Sequence, residues 1–158
     1  ALPIYRFPAT RRRHLERLRG HPDGYLALGD SLCSFNPVYG QGMTSAVQQA
    51  LALGRALDSH RGTGSALRTA YYRGAGAAIA TPWQFAAGGD FLYPETGGRR
   101  PPGVNLFNRY AMRINRAIPH APDLQITMAK VQHMLVPASV VLRPAVLFTV
   151  LRLGRRPR

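Results

Sequence analysis

The chain has 158 residues, of which 46% are hydrophobic, so it has room for about one domain and is too apolar for wholesale disorder. Its formal charge of +14 comes from 21 basic residues against 7 acidic ones, and such a charge attracts anions, nucleic acid or anionic membranes. The single cysteine, Cys33, excludes an internal disulfide and is expected to be a small buried or loop residue. The five histidines show no metal-ligand spacing, so we predict no metal site.

The first half of the chain predicts a helix, a strand and a second helix. Thr10 followed by a basic run predicts an N-capped helix that ends at Gly20. Residues 25–28, YLAL, predict a short strand buried on both faces. From Met43 onward, apolar residues recur at three- and four-residue steps, which predicts an amphipathic helix with one apolar stripe. The stripe consists of Met43, Val47, Ala50, Leu51, Gly54 and Leu57, and small residues on this side would permit close approach to a neighbouring sheet or helix.

The second half is predicted to be helical, with one irregular segment. A second helix is expected to start near Ser65 and to fade before Pro82, followed by irregular structure over residues 83–103. Further helices are predicted at about residues 104–118, at 124–135 and after Pro144. Prolines and arginines interrupt the apolar segment 135–153, so we expect no transmembrane span there. Contact of this segment with a membrane surface stays open as an alternative to ordinary packing.

The loop between the predicted strand and the predicted helix carries the chemistry. Asp30 would emerge where the strand ends, and an ionised carboxylate accepts hydrogen bonds from sugar or polyol hydroxyls. Pro37 stiffens the loop, while Gly40 and Gly42 allow the backbone to approach a flat ligand. The helix from Met43 onward would direct its free N–H groups and its positive dipole end at the same ligand.

The whole run from Gly29 to Met43, GDSLCSFNPVYGQGM, resembles the second flavin-binding motif of the FAD-dependent aromatic hydroxylase and epoxidase group. The resemblance implies that Asp30 holds the ribityl hydroxyls of FAD and that Asn36 braces the loop. Ser31 stands where the family usually has alanine. The cofactor-binding residues that the resemblance implies are Gly29, Asp30, Pro37, Gly40, Gln41, Gly42 and Met43.

The resemblance also implies a fold and a domain organisation. The parent would be an α/β protein with a Rossmann-like FAD-binding fold, and this chain a mainly α-helical C-terminal fragment of it with one or a few short strands. Residues 1–62 would complete the FAD-binding domain, and residues 63–158 would form a helical C-terminal region. The chain has no G-x-G-x-x-G turn after a strand, so we expect the ADP-binding half to be missing. The chain begins at Ala1 rather than Met, which fits a fragment.

The function implied is that of a bacterial NAD(P)H-using monooxygenase or epoxidase acting on an apolar or aromatic small molecule. The fragment alone is expected to be inactive, and the sequence identifies no catalytic residue. One alternative is a flavin-dependent isoprenoid reductase with the same motif. Another is a non-enzymatic basic module that binds anionic surfaces, although no specific nucleic-acid partner is indicated because few aromatic residues lie among the arginines. The expected location is cytoplasmic, with peripheral membrane contact through the C-terminal segment as a variant.

Overall fold

The computed structural model describes residue 7 and residues 9–155, which form two compact units divided between Ala86 and Ala87. Helical residues make up 65% of the described chain. The α-helices are α1 Gly42–Ser59, α2 Ser65–Asp90, α3 Val104–Ala117, α4 Pro122–Gln132 and α5 Pro144–Leu153. Two strands, β1 Arg11–Arg12 and β2 Cys33–Ser34, pair antiparallel, with Arg12 opposite Cys33.

The predicted α/β fold class with a Rossmann-like parallel sheet is wrong. The sheet of the described residues is two-stranded and antiparallel, and residues 25–28 form no strand. The backbone of this segment bonds to tyrosine side chains instead, because the Tyr71 hydroxyl donates to the Ala27 carbonyl at 2.6 Å and the Ala27 N–H donates to the Tyr72 hydroxyl at 3.4 Å. Buried backbone groups need partners, and here the side chains of α2 supply them in place of a neighbouring strand.

The predicted N-terminal helix over residues 10–20 is also wrong. Arg11 and Arg12 form β1, the Arg13 N–H donates to the Leu32 carbonyl at 2.9 Å, and only Leu15–Arg17 makes a single 3₁₀ turn. The run has too few apolar side chains to bury a helix face, so its backbone pairs with β2 and the residues next to it.

The core of the N-terminal unit lies between α1, α2 and the segment that precedes α1. From α2 it contains Leu67, Tyr71, Tyr72, Ala75, Ile79 and Ala86. Helices α1 and α2 approach closely at Gly74, where an added Cβ would lie 2.8 Å from the Ala52 Cβ. Helix α2 continues through the buried Pro82 to Asp90, so the expectation that it fades before Pro82 is wrong.

The apolar stripe of α1 lies on its exposed side. Met43 is 85% exposed and Val47 60%, and Leu51 and Leu57 are more than half exposed. The buried side of α1 carries smaller and more polar residues, namely Ser45, Gln49, Ala52 and Ala56. The spacing of the apolar residues therefore predicted the helix correctly but indicated the wrong face as the buried one.

The C-terminal unit contains α3, α4 and α5, and the helix predicted over 104–118 is confirmed, as is the helix after Pro144. The Tyr110 hydroxyl of α3 donates to the Val141 carbonyl at 2.6 Å, and the Asn108 side chain donates to the Gly88 carbonyl at 2.9 Å. Within the described range, no helix combines the length and apolarity needed to cross a membrane. The predicted boundary between residues 62 and 63 falls in the loop that joins α1 and α2, and the outer ends of both predicted domains lie outside the described residues.

Candidate functional site

The segment from Gly29 to Ser31 is a single 3₁₀ turn that places Asp30 at the surface. Gly29 has a φ of +63°, in the left-handed region that residues with a Cβ seldom adopt. The Ser31 hydroxyl closes the turn, because it accepts from the Leu28 N–H at 3.0 Å and donates to the Leu28 carbonyl at 2.6 Å. Ser31 thus has a structural function in the turn.

Two polar side chains of α1 anchor this turn. The buried Gly29 N–H donates to Oε1 of Gln49 at 2.9 Å, and Nε2 of Gln49 donates to the Ser45 hydroxyl at 3.1 Å. Ser45 and Gln49 are both fully buried. A Cβ added at Gly29 would lie 3.6 Å from the Ala46 Cβ, so the backbone of the turn lies directly on α1. Ala46 is four residues from the start of α1, which places the contact about 6 Å along the helix axis.

Arg13 holds the turn from the other side. Its Nη1 donates to the carbonyl of Asp30 at 3.0 Å and to that of Ser31 at 3.4 Å. The bonds go to the backbone, and the Asp30 side chain has neither a hydrogen bond nor an ion pair among residues 9–155. The turn therefore presents an exposed carboxylate on a fixed backbone.

The loop from Asn36 to Gly42 leads into the N-terminus of α1. Oδ1 of Asn36 accepts from the Val38 N–H at 3.2 Å, so the predicted bracing of the loop by Asn36 is confirmed. Pro37 starts a 3₁₀ turn that ends at Gly40, whose φ of +67° again requires a left-handed backbone. Gln41 is buried at 4% exposure and occupies the N-cap position of α1.

The structure brings part of the predicted site together. The Gly29–Asp30 turn packs on the first two turns of α1, the helix that begins at Gly42. A Cβ at Gly40 or Gly42 would meet no atom within 4 Å, so both glycines border open space. Pro37 and Met43 are exposed, and Met43 at 85% lies on the outer stripe of α1. The result is an open surface rather than an enclosed pocket.

Three residues that position the turn were not predicted from the sequence. Gln49 and Ser45 lie four residues apart on the buried side of α1, and Arg13 belongs to the segment that was predicted to be an N-terminal helix. The sequence did contain a signal for Ser45 and Gln49. They are polar, lie four residues apart and therefore share one face of the helix, which is the face opposite the apolar stripe.

Cys33 is a structural residue next to this turn. It is 1% exposed, and burial raises the pKa of its thiol to about 12. A thiol so far from ionisation is a poor nucleophile and a poor metal ligand. The prediction that Cys33 is buried is confirmed.

No group of three or more histidine, cysteine or acidic side chains converges within the described residues in a way that could hold a metal ion. Of the five histidines, all of which the structure describes, only His21 is buried: its Nε2 lies 3.1 Å from the Tyr72 hydroxyl and its Nδ1 lies 2.9 Å from the Pro22 carbonyl. These bonds hold the segment that leads to Gly29 against α2.

Part of the chain is similar in sequence to a mycobacterial protein. No family model matches the chain. Over 54 residues the chain is 46% identical to Protein Rv3254 of Mycobacterium tuberculosis (strain ATCC 25618 / H37Rv). The match covers 34% of this chain and 11% of that protein, whose name states no ligand or reaction.

Proposed function

We propose that this chain is part of an FAD-dependent oxidoreductase and supplies the surface for the ribityl and isoalloxazine portions of the cofactor. The observation that carries the proposal is the anchored Gly29–Asp30 turn on α1. It combines an exposed carboxylate, a glycine-bordered backbone and a helix N-terminus in one continuous stretch of 15 residues, 29–43.

The residues of the turn fit a polyol chain. Asp30 is an acceptor-only carboxylate with its backbone fixed by Arg13, so it can accept hydrogen bonds from neighbouring hydroxyls without rearrangement of the main chain. Hydrogen bonds to an ionised group are stronger than neutral ones. The hydrogen bond from Gly29 to Gln49 holds the turn against α1, so the position of the Asp30 backbone is fixed relative to the start of α1.

The start of α1 fits the electron-rich edge of a flat ring. The first N–H groups of an α-helix have no partner within the helix, and its dipole places partial positive charge there. The first turn of α1 carries no acidic residue that would offset this charge. Gly40 and Gly42 leave open space at this end, so a planar group can approach the backbone closely.

When bound, a flavin supplies the redox chemistry, while the protein supplies binding, orientation and electrostatics. In this proposal the reductant is NAD(P)H and the substrate is an apolar or aromatic small molecule, which a monooxygenase or epoxidase would oxidise. An isoprenoid reductase would use the same surface. The ADP portion of the cofactor would be bound by residues outside this chain.

The experiment is a titration of the 158-residue chain with FAD, with Asp30→Ala compared with Asp58→Ala. Asp58 is an exposed carboxylate near the far end of α1, so its loss removes the same charge away from the turn. We expect this half-site alone to bind FAD weakly, since it contacts only part of the cofactor. Loss of a charged acceptor costs about 1.5–3 kcal/mol, so Asp30→Ala should weaken binding about 10- to 150-fold. Equal affinities of the two variants would refute the assignment of Asp30.

A basic module that binds anions without a flavin would behave differently. Its affinity for FAD would fall steeply with added salt and would rise, rather than fall, when either aspartate is removed. The direction of the Asp30→Ala effect therefore separates the two functions.

A further inference from the structure

A cavity of about 670 Å³ in the C-terminal unit is lined by four arginines, Arg109, Arg113, Arg116 and Arg155. This volume lies within the range of small-molecule sites, roughly 300–1,000 Å³. None of the acidic residues of this unit lines it, although Asp90, Glu95 and Asp123 all belong to the described range. The cavity is therefore a concentrated site of positive charge.

Helical spacing places three of the arginines together. Arg109, Arg113 and Arg116 follow one another at steps of four and three residues on α3, so they lie on one face of the helix. Like charges at such spacing repel each other. Within the described part of this unit, no acidic side chain forms an ion pair with them.

Gly154 brings the fourth arginine to this face. It follows α5, and an added Cβ would lie 2.5 Å from the Val150 carbonyl oxygen and 2.6 Å from the Arg113 carbonyl oxygen. Only glycine allows the end of α5 to approach the backbone of α3 so closely. Arg155, the next residue, lines the same cavity as Arg113.

The remaining lining is apolar. Leu106 is 72% exposed and Met112 is 42% exposed, so both present uncovered apolar surface at the arginines. The Tyr110 hydroxyl already donates to the Val141 carbonyl, so this residue contributes its ring. The cavity thus combines several guanidinium groups with an adjoining apolar wall.

We propose that this cavity binds the phosphate or diphosphate group of an amphipathic organic phosphate, with the apolar part of the ligand on Leu106 and Met112. Guanidinium groups match phosphate oxygens with two parallel hydrogen bonds, which makes arginine the preferred residue for such recognition. The bound anion neutralises charges that otherwise repel each other along α3. A single aromatic ring is too few for a base-stacking surface, which argues against single-stranded nucleic acid. The inference stands on the C-terminal unit alone and is independent of the proposed flavin surface.

The test is calorimetric titration of the full chain with inorganic pyrophosphate and with dodecyl phosphate kept below its micelle concentration. We expect both to bind, and dodecyl phosphate to bind at least tenfold more tightly because its chain covers the apolar wall. Arg113→Gln should weaken both at least tenfold, and Arg109→Gln serves as the second variant if the first fails to fold by circular dichroism. Arg143→Gln is the matched control, since Arg143 is exposed and does not line the cavity.

A further measurement, of binding to lipid vesicles, distinguishes a lipid headgroup from a free organic phosphate. Co-sedimentation with phosphatidic acid vesicles, lost in Arg113→Gln and kept in Arg143→Gln, would assign the phosphate to a lipid headgroup. Binding of monomeric dodecyl phosphate without vesicle binding would assign it to a free ligand. Equal losses in Arg113→Gln and Arg143→Gln, no binding of either phosphate, or tighter binding of a single-stranded oligonucleotide than of dodecyl phosphate would each overturn the proposal.

Discussion

The bond between Gly29 and Gln49 makes the sharpest prediction about how the candidate site is built. Gln49→Leu keeps the volume of the side chain but removes the acceptor of the Gly29 N–H, which lies 2.9 Å away in a fully buried position. A buried donor left without a partner costs about 1–3 kcal/mol. With a urea m-value of about 2 kcal/mol/M, the unfolding midpoint of the N-terminal unit should fall by about 0.5–1.5 M.

Trp83 makes this loss measurable for one unit alone. It is the only tryptophan of the chain and packs against the core of the N-terminal unit, so its fluorescence follows unfolding of that unit. Gln48→Leu is the control, since Gln48 is adjacent on α1 and only half-buried, and a surface change typically alters stability by less than about 0.5 kcal/mol. Equal midpoints for Gln49→Leu and Gln48→Leu would show that Gln49 does not anchor the turn.

Three further predictions concern the packing around the candidate site. Burial raises the pKa of the Cys33 thiol from 9.0 to about 12, so the thiol stabilises the folded state below pH 9 and this contribution is lost as the pH rises towards 12. In Cys33→Ala, the free energy of unfolding measured in urea should fall less between pH 9 and pH 12 than in the original chain. An equal fall in both would contradict the raised pKa of Cys33. Gly74→Ala adds a Cβ 2.8 Å from that of Ala52 and should cost about 1–3 kcal/mol, part of which the second change Ala52→Gly restores. Tyr72→Phe removes the hydroxyl that bonds the extended segment and should lower the free energy of unfolding by about 1–3 kcal/mol, whereas Tyr93→Phe, at an exposed ring, should leave it unchanged.

The helices were predictable where the pattern and its boundary signals agreed. Gly103 and Pro119 bracket the helix from Val104, and Pro144 starts the last one, so their positions followed from the sequence. The end of α2 did not follow from the sequence. Tertiary packing keeps Pro82 inside the helix, whereas local rules predict that a proline ends it.

The faces of α1 could not be predicted, for a physical reason. A helical period shows that residues share a face but not whether that face is covered. Here the larger residues, such as Met43 and Leu51, lie outside, and the buried side uses Ala52 and Ala56 to allow close approach of α2. The strand predicted at residues 25–28 does not form either, because the hydroxyls of Tyr71 and Tyr72, far along the chain on α2, form hydrogen bonds with the backbone of Ala27.

The local order of turn, loop and helix in the candidate region was predictable from the sequence, but its three-dimensional geometry was not. The order of turn, loop and helix was readable from residues 29–43, and Asn36 braces the loop as expected. The anchoring by Gln49 and Arg13 depends on contacts between segments far apart in sequence, which spacing alone does not encode.

Mapping the amides of the ¹⁵N-labelled chain that shift when FAD is added at millimolar concentration tests whether the Asp30 turn and α1 form a flavin-binding surface. We expect the largest shifts on residues 29–43, at Asp30 and at the start of α1, and we expect Asp30→Ala to abolish them while Asp58→Ala does not. Shifts confined to other residues, or equal shifts in both variants, would contradict the claim that the Asp30 turn and α1 bind the flavin.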